Sequence, residues 1–223
     1  MVGLSLEKEL EKKKEFLIKE LIEQGITDEL VLDAIRNVPR HLFVPNEFLD
    51  EAYANHPLPI GYGQTISQPY TVAFMLQELE LRKGLKVFEV GTGSGWNAAL
   101  IAWIVKPALV YTTEIIAELA EMAKKNLKSA GIKNVKVLPI DGSCGYAAKA
   151  PYDRIIVTAA CPSVPKPLVE QLKVGGKLIA PVGSCAEQRM IKVIKQKNRL
   201  EKKELGYFVF VPLRGKYGSS FGI

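Results

Sequence analysis

The sequence predicts an α/β fold: a doubly wound, Rossmann-like sheet, mostly parallel, with an antiparallel C-terminal hairpin and an N-terminal helical and loop arm. Three observations carry this expectation. From Lys86 onward short apolar stretches alternate with helical ones, and repeated βα units fold as a parallel sheet covered on both faces. Val87-Phe-Glu-Val-Gly-Thr-Gly-Ser-Gly-Trp-Asn97 reads as a buried strand entering a glycine-rich turn, the place where such sheets receive ligands. Near the end, Arg189–Gln196 and Lys203–Leu213 alternate around the charged turn Lys197-Asn-Arg-Leu-Glu201, which is a hairpin pattern.

Leu6, Leu10, Leu17 and Leu21 fall on one helical face, and Gly25 stops that helix. Asp28, after Thr27, can cap a second helix carrying Val31, Leu32 and Ile35. Val38–Tyr70 holds five prolines and Gly61-Tyr-Gly63. Proline fixes φ and removes a donor, so an ordered loop with little regular structure is expected there. The βα series then runs as strand Lys86–Val90, helix Trp96–Val105, strand Leu109–Thr113, helix Ala117–Ala130, strand Val135–Pro139 and strand Arg154–Thr158. Helix Pro167–Leu172, ending at Gly175-Gly176, and strand Lys177–Pro181 complete it. Residues 1–70 form an arm packed on a core of residues 71–223, the two making one structural unit. Phe208-Val-Phe-Val-Pro-Leu213 reads as an apolar edge strand, and such an edge can pair two copies into a homo-oligomer.

Composition narrows the class. In 223 residues, 48% are hydrophobic, enough for a core of one domain. The net charge of +6 is mild, and Lys runs such as Lys12-Lys-Lys14 read as solvated helix faces rather than a nucleic-acid surface. Cys144, Cys161 and Cys185 are odd in number and widely spaced, against a disulfide framework or zinc site. With two histidines, His41 and His56, no metal is expected. The charged N-terminus does not read as a signal peptide. The apolar run Ala98–Val105 is far short of a membrane span. A cytoplasmic protein without membrane or nucleic-acid partners is expected.

The glycine spacing and the acids point to the cofactor. Gly91-x-Gly93-x-Gly95 puts Trp96 where a dinucleotide fingerprint wants its third glycine. Glu89 precedes the turn, Glu114 ends the second strand and Asp141-Gly142 ends the third. All three carboxylates thus fall at carboxyl ends of neighbouring strands. S-adenosyl-L-methionine carries an ammonium, a ribose and an adenine amino group and no phosphate, and three acceptors without a phosphate clamp match that inventory.

Glu89-Val-Gly-Thr-Gly-Ser-Gly95, Tyr111-Thr-Thr-Glu114, Ile140-Asp-Gly142 and Gly175-Gly-Lys-Leu178 resemble the class I S-adenosylmethionine-dependent methyltransferases. Val38-Pro-Arg-His-Leu-Phe-Val-Pro45, Pro57-Leu-Pro-Ile-Gly-Tyr-Gly-Gln-Thr-Ile-Ser-Gln-Pro69, Pro151-Tyr-Asp153, Val157-Thr-Ala-Ala160 and Val211-Pro-Leu213 are similar to protein-L-isoaspartate (D-aspartate) O-methyltransferases. The resemblance runs from about Val31 to Leu213. It implies methylation of the free α-carboxylate of L-isoaspartyl residues in damaged peptides and proteins, the ester then cyclising to a succinimide and beginning repair. It leaves S-adenosyl-L-homocysteine as product. It further implies that Ser67 is the catalytic residue and that Ile66, Ser67, Glu89, Gly91, Thr92, Gly93, Glu114, Asp141 and Gly142 bind the cofactor. Leu58, Pro59, Ile60, Gly61, Thr158 and Ala159 are the implied substrate contacts. Asn55, Tyr70, Ile140 and Arg214 depart from the family pattern. Two other readings stay open: a methyltransferase acting on RNA or a small molecule, and a cofactor-binding module without catalysis. Ala159-Ala-Cys-Pro162, in place of an Asn-Pro-Pro-Tyr-like element, weighs against the first, and intact Ile66-Ser-Gln-Pro69 against the second.

Overall fold

The computed structural model describes residues 2–184 and 186–218. Cys185 lies outside them, while Cys144 and Cys161 are free thiols. Helix α1 (Val2–Glu23) buries Leu10, Leu17 and Leu21. Leu6, expected on the same face, is 39% exposed, and residues 7–9 beside it are exposed as well. The helix closes with Ile26 N–H donating to the Leu21 carbonyl and Gly25 N–H to that of Ile22, both at 3.0 Å, around Gly25 in the left-handed region. Helix α2 (Glu29–Asn37) starts as expected, with the Asp28 carboxylate accepting from Leu30 N–H.

The proline-rich stretch is more regular than expected. It contains two 3₁₀ turns, Arg40–Phe43 and Asn46–Glu51, and a small hairpin of β1 (Leu58–Gly61) and β2 (Gln64–Ile66). Its prolines occupy positions that need no donor: Pro39 and Pro45 precede the 3₁₀ turns, and Pro69 opens helix α3 (Pro69–Leu79).

Strands β3 (Val87–Val90), β4 (Val110–Thr113), β5 (Val135–Leu138), β6 (Tyr152–Val157), β7 (Leu172–Gly183), β8 (Gln188–Lys195) and β9 (Leu200–Phe208) form one sheet in the order β5-β4-β3-β6-β7-β8-β9. The first five are mutually parallel, and β8 and β9 run antiparallel. Helices α4 (Trp96–Val105), α5 (Ala117–Ser129) and α6 (Lys166–Glu170) connect them. The chain enters the sheet at β3, builds outward through β4 and β5, then returns to place β6 on the other side of β3. The crevice outside the strand ends at that reversal is where an open α/β sheet binds ligands. Arg154 on β6 fixes α3 to the sheet: its Nε donates to the Leu79 carbonyl at 2.6 Å, satisfying an orphan acceptor at the helix end.

Two boundaries differ from expectation. Helix α6 ends at Glu170, and Gly175-Gly176 lies inside β7, in a bulge between the pairs Tyr152–Leu172 and Arg154–Lys177. At the C-terminal end the expected edge strand Phe208–Leu213 is absent. Strand β9 already begins inside the expected turn, at Leu200, and stops at Phe208. Beyond it the backbone folds inward. Phe210 N–H donates to Gln188 Oε1 at 2.7 Å, Ala160 N–H to the Val211 carbonyl and Leu213 N–H to the Ala160 carbonyl, both at 2.8 Å. Pro212 has no N–H to extend a ladder. The edge actually presented is β9, which carries Glu201, Lys202, Lys203 and Glu204, a charged composition that opposes edge pairing. The segment on which self-association was expected to rest is therefore engaged within the chain.

Both sheet faces are covered. Phe88, Tyr152, Leu168 and Leu178 pack on one. On the other, Leu17, Leu21 and Phe43 of the arm share a continuous apolar cluster with Leu76, Trp96 and Leu100 of the core. Among the described residues no helix is long and apolar enough to cross a membrane, and no group of His, Cys, Asp and Glu is placed to hold a metal. Arm and core are expected to unfold as one cooperative unit. Leu17→Ala should cost about 2–5 kcal/mol. The stability read by hydrogen exchange at the amides of β3 and β6, which lie in the core sheet, should fall together with that read by circular dichroism. A core signal that stays put would mean the arm unfolds separately.

Candidate active site

The glycine turn after β3 is tied to the end of β4. Gly91 N–H and Thr92 N–H both donate to the Thr113 carbonyl, at 2.9 and 3.0 Å. Gly91 sits at φ +95°, and a side chain there would meet the Thr158 hydroxyl at 2.5 Å. That hydroxyl is set against the carbonyls of Gly91 (2.7 Å) and Val90 (3.0 Å), so β6 clamps the turn from its other side. Glu114, just past β4, is nearly buried. Its Oε2 accepts from Gly93 N–H at 2.9 Å and its Oε1 from Ile116 N–H at 3.0 Å. Each oxygen keeps a lone pair for a further donor. A Cβ on Gly142 would collide with the Thr113 hydroxyl and with Val90, so no side chain other than hydrogen fits at that wall.

These elements enclose a cleft that opens to solvent. Of the residues expected from sequence, Ile66, Ser67, Gly91, Thr92, Gly93, Glu114, Gly142, Thr158 and Ala159 line it. Ser67 was open to a second reading, as the cap of the following helix. The capping position of α3 is instead Gln68, and no described residue bonds the Ser67 hydroxyl.

Other expected residues stand elsewhere. Glu89 lies within β3, fully buried behind the cleft wall rather than along it. The two-residue period of the strand turns it to the same face as Val87, toward α4, where its Oε1 accepts from Asn97 Nδ2 at 2.6 Å. Burial pushes its carboxyl up to about 7, against the hydrogen bond from Asn97 and the nearby Thr112 hydroxyl. Asp141 also does not line the cleft. Its Oδ1 accepts from Ser143 N–H at 2.9 Å and its Oδ2 from Lys216 N–H at 2.8 Å. Partial burial works to raise this carboxyl, but those donors outweigh it and leave the pKa below the usual range. None of Leu58, Pro59, Ile60 and Gly61 lines the cleft. Strand alternation buries Leu58 and Ile60 in the core and leaves Pro59 and Gly61 on the exposed face of the hairpin.

The cleft also recruits residues that the sequence reading missed. Asn97 lines it, and its Oδ1 is buried without a partner among the described residues. Glu89 takes the amide nitrogen, so the amide oxygen is left for a donor in the cleft. The signal was available: Asn97 is the one polar residue in the otherwise apolar helix Trp96-Asn-Ala-Ala-Leu-Ile-Ala-Trp-Ile-Val105. Trp96 and Phe210 to Arg214 also line it. The latter segment reaches the site only because it leaves the sheet edge.

Similarity to known proteins agrees with this architecture. Residues 11–218 match the family model described as protein-L-isoaspartate (D-aspartate) O-methyltransferase. A protein-L-isoaspartate O-methyltransferase of Pyrococcus horikoshii is 52% identical over 215 residues, covering 95% of this chain and 97% of the relative. One from Archaeoglobus fulgidus is 49% identical over 211 residues, covering 94% and 97%. Among solved structures, a protein-L-isoaspartate O-methyltransferase superposes with a TM-score of 0.83 at 30% identity, over 92% of this chain and 66% of that one. A Plasmodium falciparum protein described as a protein-L-isoaspartate O-methyltransferase, in complex with S-adenosyl-L-homocysteine, gives a TM-score of 0.79 at 27% identity, over 89% of this chain and 96% of that one. A match that spans nearly the whole chain, at about half identity, on a sheet whose switch point carries the cleft just described, leaves one conclusion: the chain belongs to the protein-L-isoaspartate (D-aspartate) O-methyltransferase family.

Proposed function

We propose that this protein methylates the free α-carboxylate of L-isoaspartyl residues in damaged peptides and proteins, with S-adenosylmethionine as donor, and so begins their repair. The observation that carries the reading is the juxtaposition in one cleft of Glu114, the glycine turn and Gly142 with a serine hydroxyl that no described residue bonds. Glu114 faces the cleft with lone pairs to spare for ribose hydroxyls, and Asn97 Oδ1 is a buried orphan acceptor suited to an ammonium. Gly142 keeps the wall bare. The residues therefore fit this cofactor. Asp141, bonded to the chain's own backbone, is expected to hold the C-terminal segment over the cleft as well as to offer its remaining lone pairs to the adenine end.

When bound, S-adenosylmethionine supplies a methyl group already activated on a sulfonium. The chain has correspondingly little chemistry to perform. The substrate carboxylate is ionised at neutral pH and needs no base, which accounts for a cleft without histidine. Ser67 orients one carboxylate oxygen through its hydroxyl, and Trp96, Phe210 and Leu213 keep water from the line of attack. The damaged linkage enters past the exposed face of the hairpin, Pro59 and Gly61, with Thr158 and Ala159 below it.

Glu89 makes the cofactor grip depend on pH. Its raised pKa means that the folded protein holds this proton longer than the unfolded chain does. The stabilisation is full below the ordinary glutamate range and is lost as the pH rises to about 7. A cofactor ammonium near Asn97 favours the ionised carboxylate, so binding draws the proton off. Affinity for S-adenosylhomocysteine, measured by calorimetry, should therefore be roughly fivefold tighter near pH 8 than near pH 6. Glu89→Gln should flatten that profile, and an equal slope in the variant would remove Glu89 from the linkage.

Paired isoaspartyl and aspartyl peptides with tritiated methyl donor test the function. Base-labile label on the isoaspartyl peptide alone is expected, whereas label in RNA would support the other substrate class. Ser67→Ala should lower turnover by roughly tenfold or more while S-adenosylhomocysteine still binds. Unchanged turnover would exclude Ser67 from the reaction.

A further inference from the structure

Arg40 is the most unusual charged group in the molecule. Its side chain is fully buried, yet it pairs with no carboxylate among the described residues. Its Nη1 donates to the Ala52 carbonyl, and its Nη2 to the carbonyls of His56 (3.4 Å) and Ser67 (3.2 Å). The guanidinium carbon lies 5.1 Å from the centroid of the Trp96 ring. Nε is buried without an acceptor among the described residues. A buried cation normally carries a counter-charge. Here only neutral carbonyls and a ring face serve, and two of those contacts, Ser67 and Trp96, are themselves walls of the cleft.

We infer that Arg40 is a positioning residue for the substrate carboxylate: it holds the Ser67 segment by its carbonyl and supplies, from behind Ser67 and Trp96, the positive potential that the incoming carboxylate neutralises. This rests on the isoaspartyl reading for the identity of the anion. The charge acts at short range through protein with little water between, so salt screens it weakly. Arg214, the cation lining the cleft itself, is exposed, and its influence should fade with salt. Burial pulls the Arg40 guanidinium down to about 9, which leaves it charged at neutral pH.

The same potential acts on the cofactor, and there it can be read without any peptide. S-adenosylmethionine carries a sulfonium, S-adenosylhomocysteine a neutral thioether. A nearby fixed cation must disfavour the first relative to the second. Arg40→Met should therefore shift the ratio of the two dissociation constants by about threefold in favour of S-adenosylmethionine. Arg40→Lys, which keeps the charge but not the fork, should leave the ratio as in the wild type. Loss of packing alone would weaken both ligands equally. With the isoaspartyl peptide, Arg40→Met should raise KM about tenfold while kcat changes less, and Arg40→Lys should fall between the two. A ratio and KM both unmoved in a folded Arg40→Met protein would overturn the inference. Should that variant not fold, a protein with Arg40 intact decides. With S-adenosylhomocysteine bound in the Arg214→Gln background at high salt, an isoaspartyl peptide should bind roughly tenfold more tightly than its isoasparaginyl carboxamide analogue. Equal affinities overturn the proposal. If no isoaspartyl peptide binds or is methylated, the substrate reading fails instead, and the cofactor ratio still tests the charge.

Discussion

The backbone of the β3–α4 turn is bonded to the ends of its two neighbouring strands, and the site depends on that arrangement. Thr113 at the end of β4 accepts from two successive N–H groups of the turn, and Thr158 at the end of β6 holds the carbonyls that precede it. A turn so fixed exposes backbone rather than side chain to the cleft, and it directs Gly93 N–H onto Glu114. Glu114 is thereby oriented before any ligand arrives. A carboxylate that is already hydrogen-bonded and nearly buried loses little freedom on binding, which is the physical content of preorganisation. Parallel register across β4, β3 and β6 brings these groups to one level.

Behind that first layer lies a second, less expected one. Glu89 and Arg40 are ionisable groups of opposite sign, both fully buried and both outside the cleft. Each reaches it through one intermediary that does line it: Glu89 through Asn97, Arg40 through Ser67 and Trp96. The arrangement suits a reaction that joins a cation to an anion. A negative group stands behind the expected ammonium position and a positive one behind the expected carboxylate position. Neither needs to touch a reacting atom to matter, since fields inside a low-dielectric wall extend further than in water.

Legibility from sequence divided along physical lines. Strand and helix identity over 86–170 followed from periodicity, and helix α4 fell on the residues expected. The glycine turn, Glu114, Gly142 and Ser67, all of which line the cleft, stand out in sequence because each is a local necessity or part of a recognisable motif. Glu89 and Asp141 were misplaced relative to the cleft for a common reason: position at a strand end says nothing about which way a side chain faces or what already bonds it. The hairpin residues divided by strand alternation, which buried Leu58 and Ile60. Phe208–Leu213 misled because an apolar run followed by Pro reads the same whether it extends a sheet edge or turns back over a ligand site.

The order of elements, the parallel sheet, the family and the glycine turn with Glu114 are set by short-range pattern, and short-range pattern is what a linear sequence displays. The destinations of Asp141, Asn97 and Arg40, and the inward course of residues 209–214, were decided only in three dimensions. Asp141 and Arg40 find partners far off in the chain, Lys216 and Ser67, and a buried polar group takes whichever partner the packed fold brings within bonding distance.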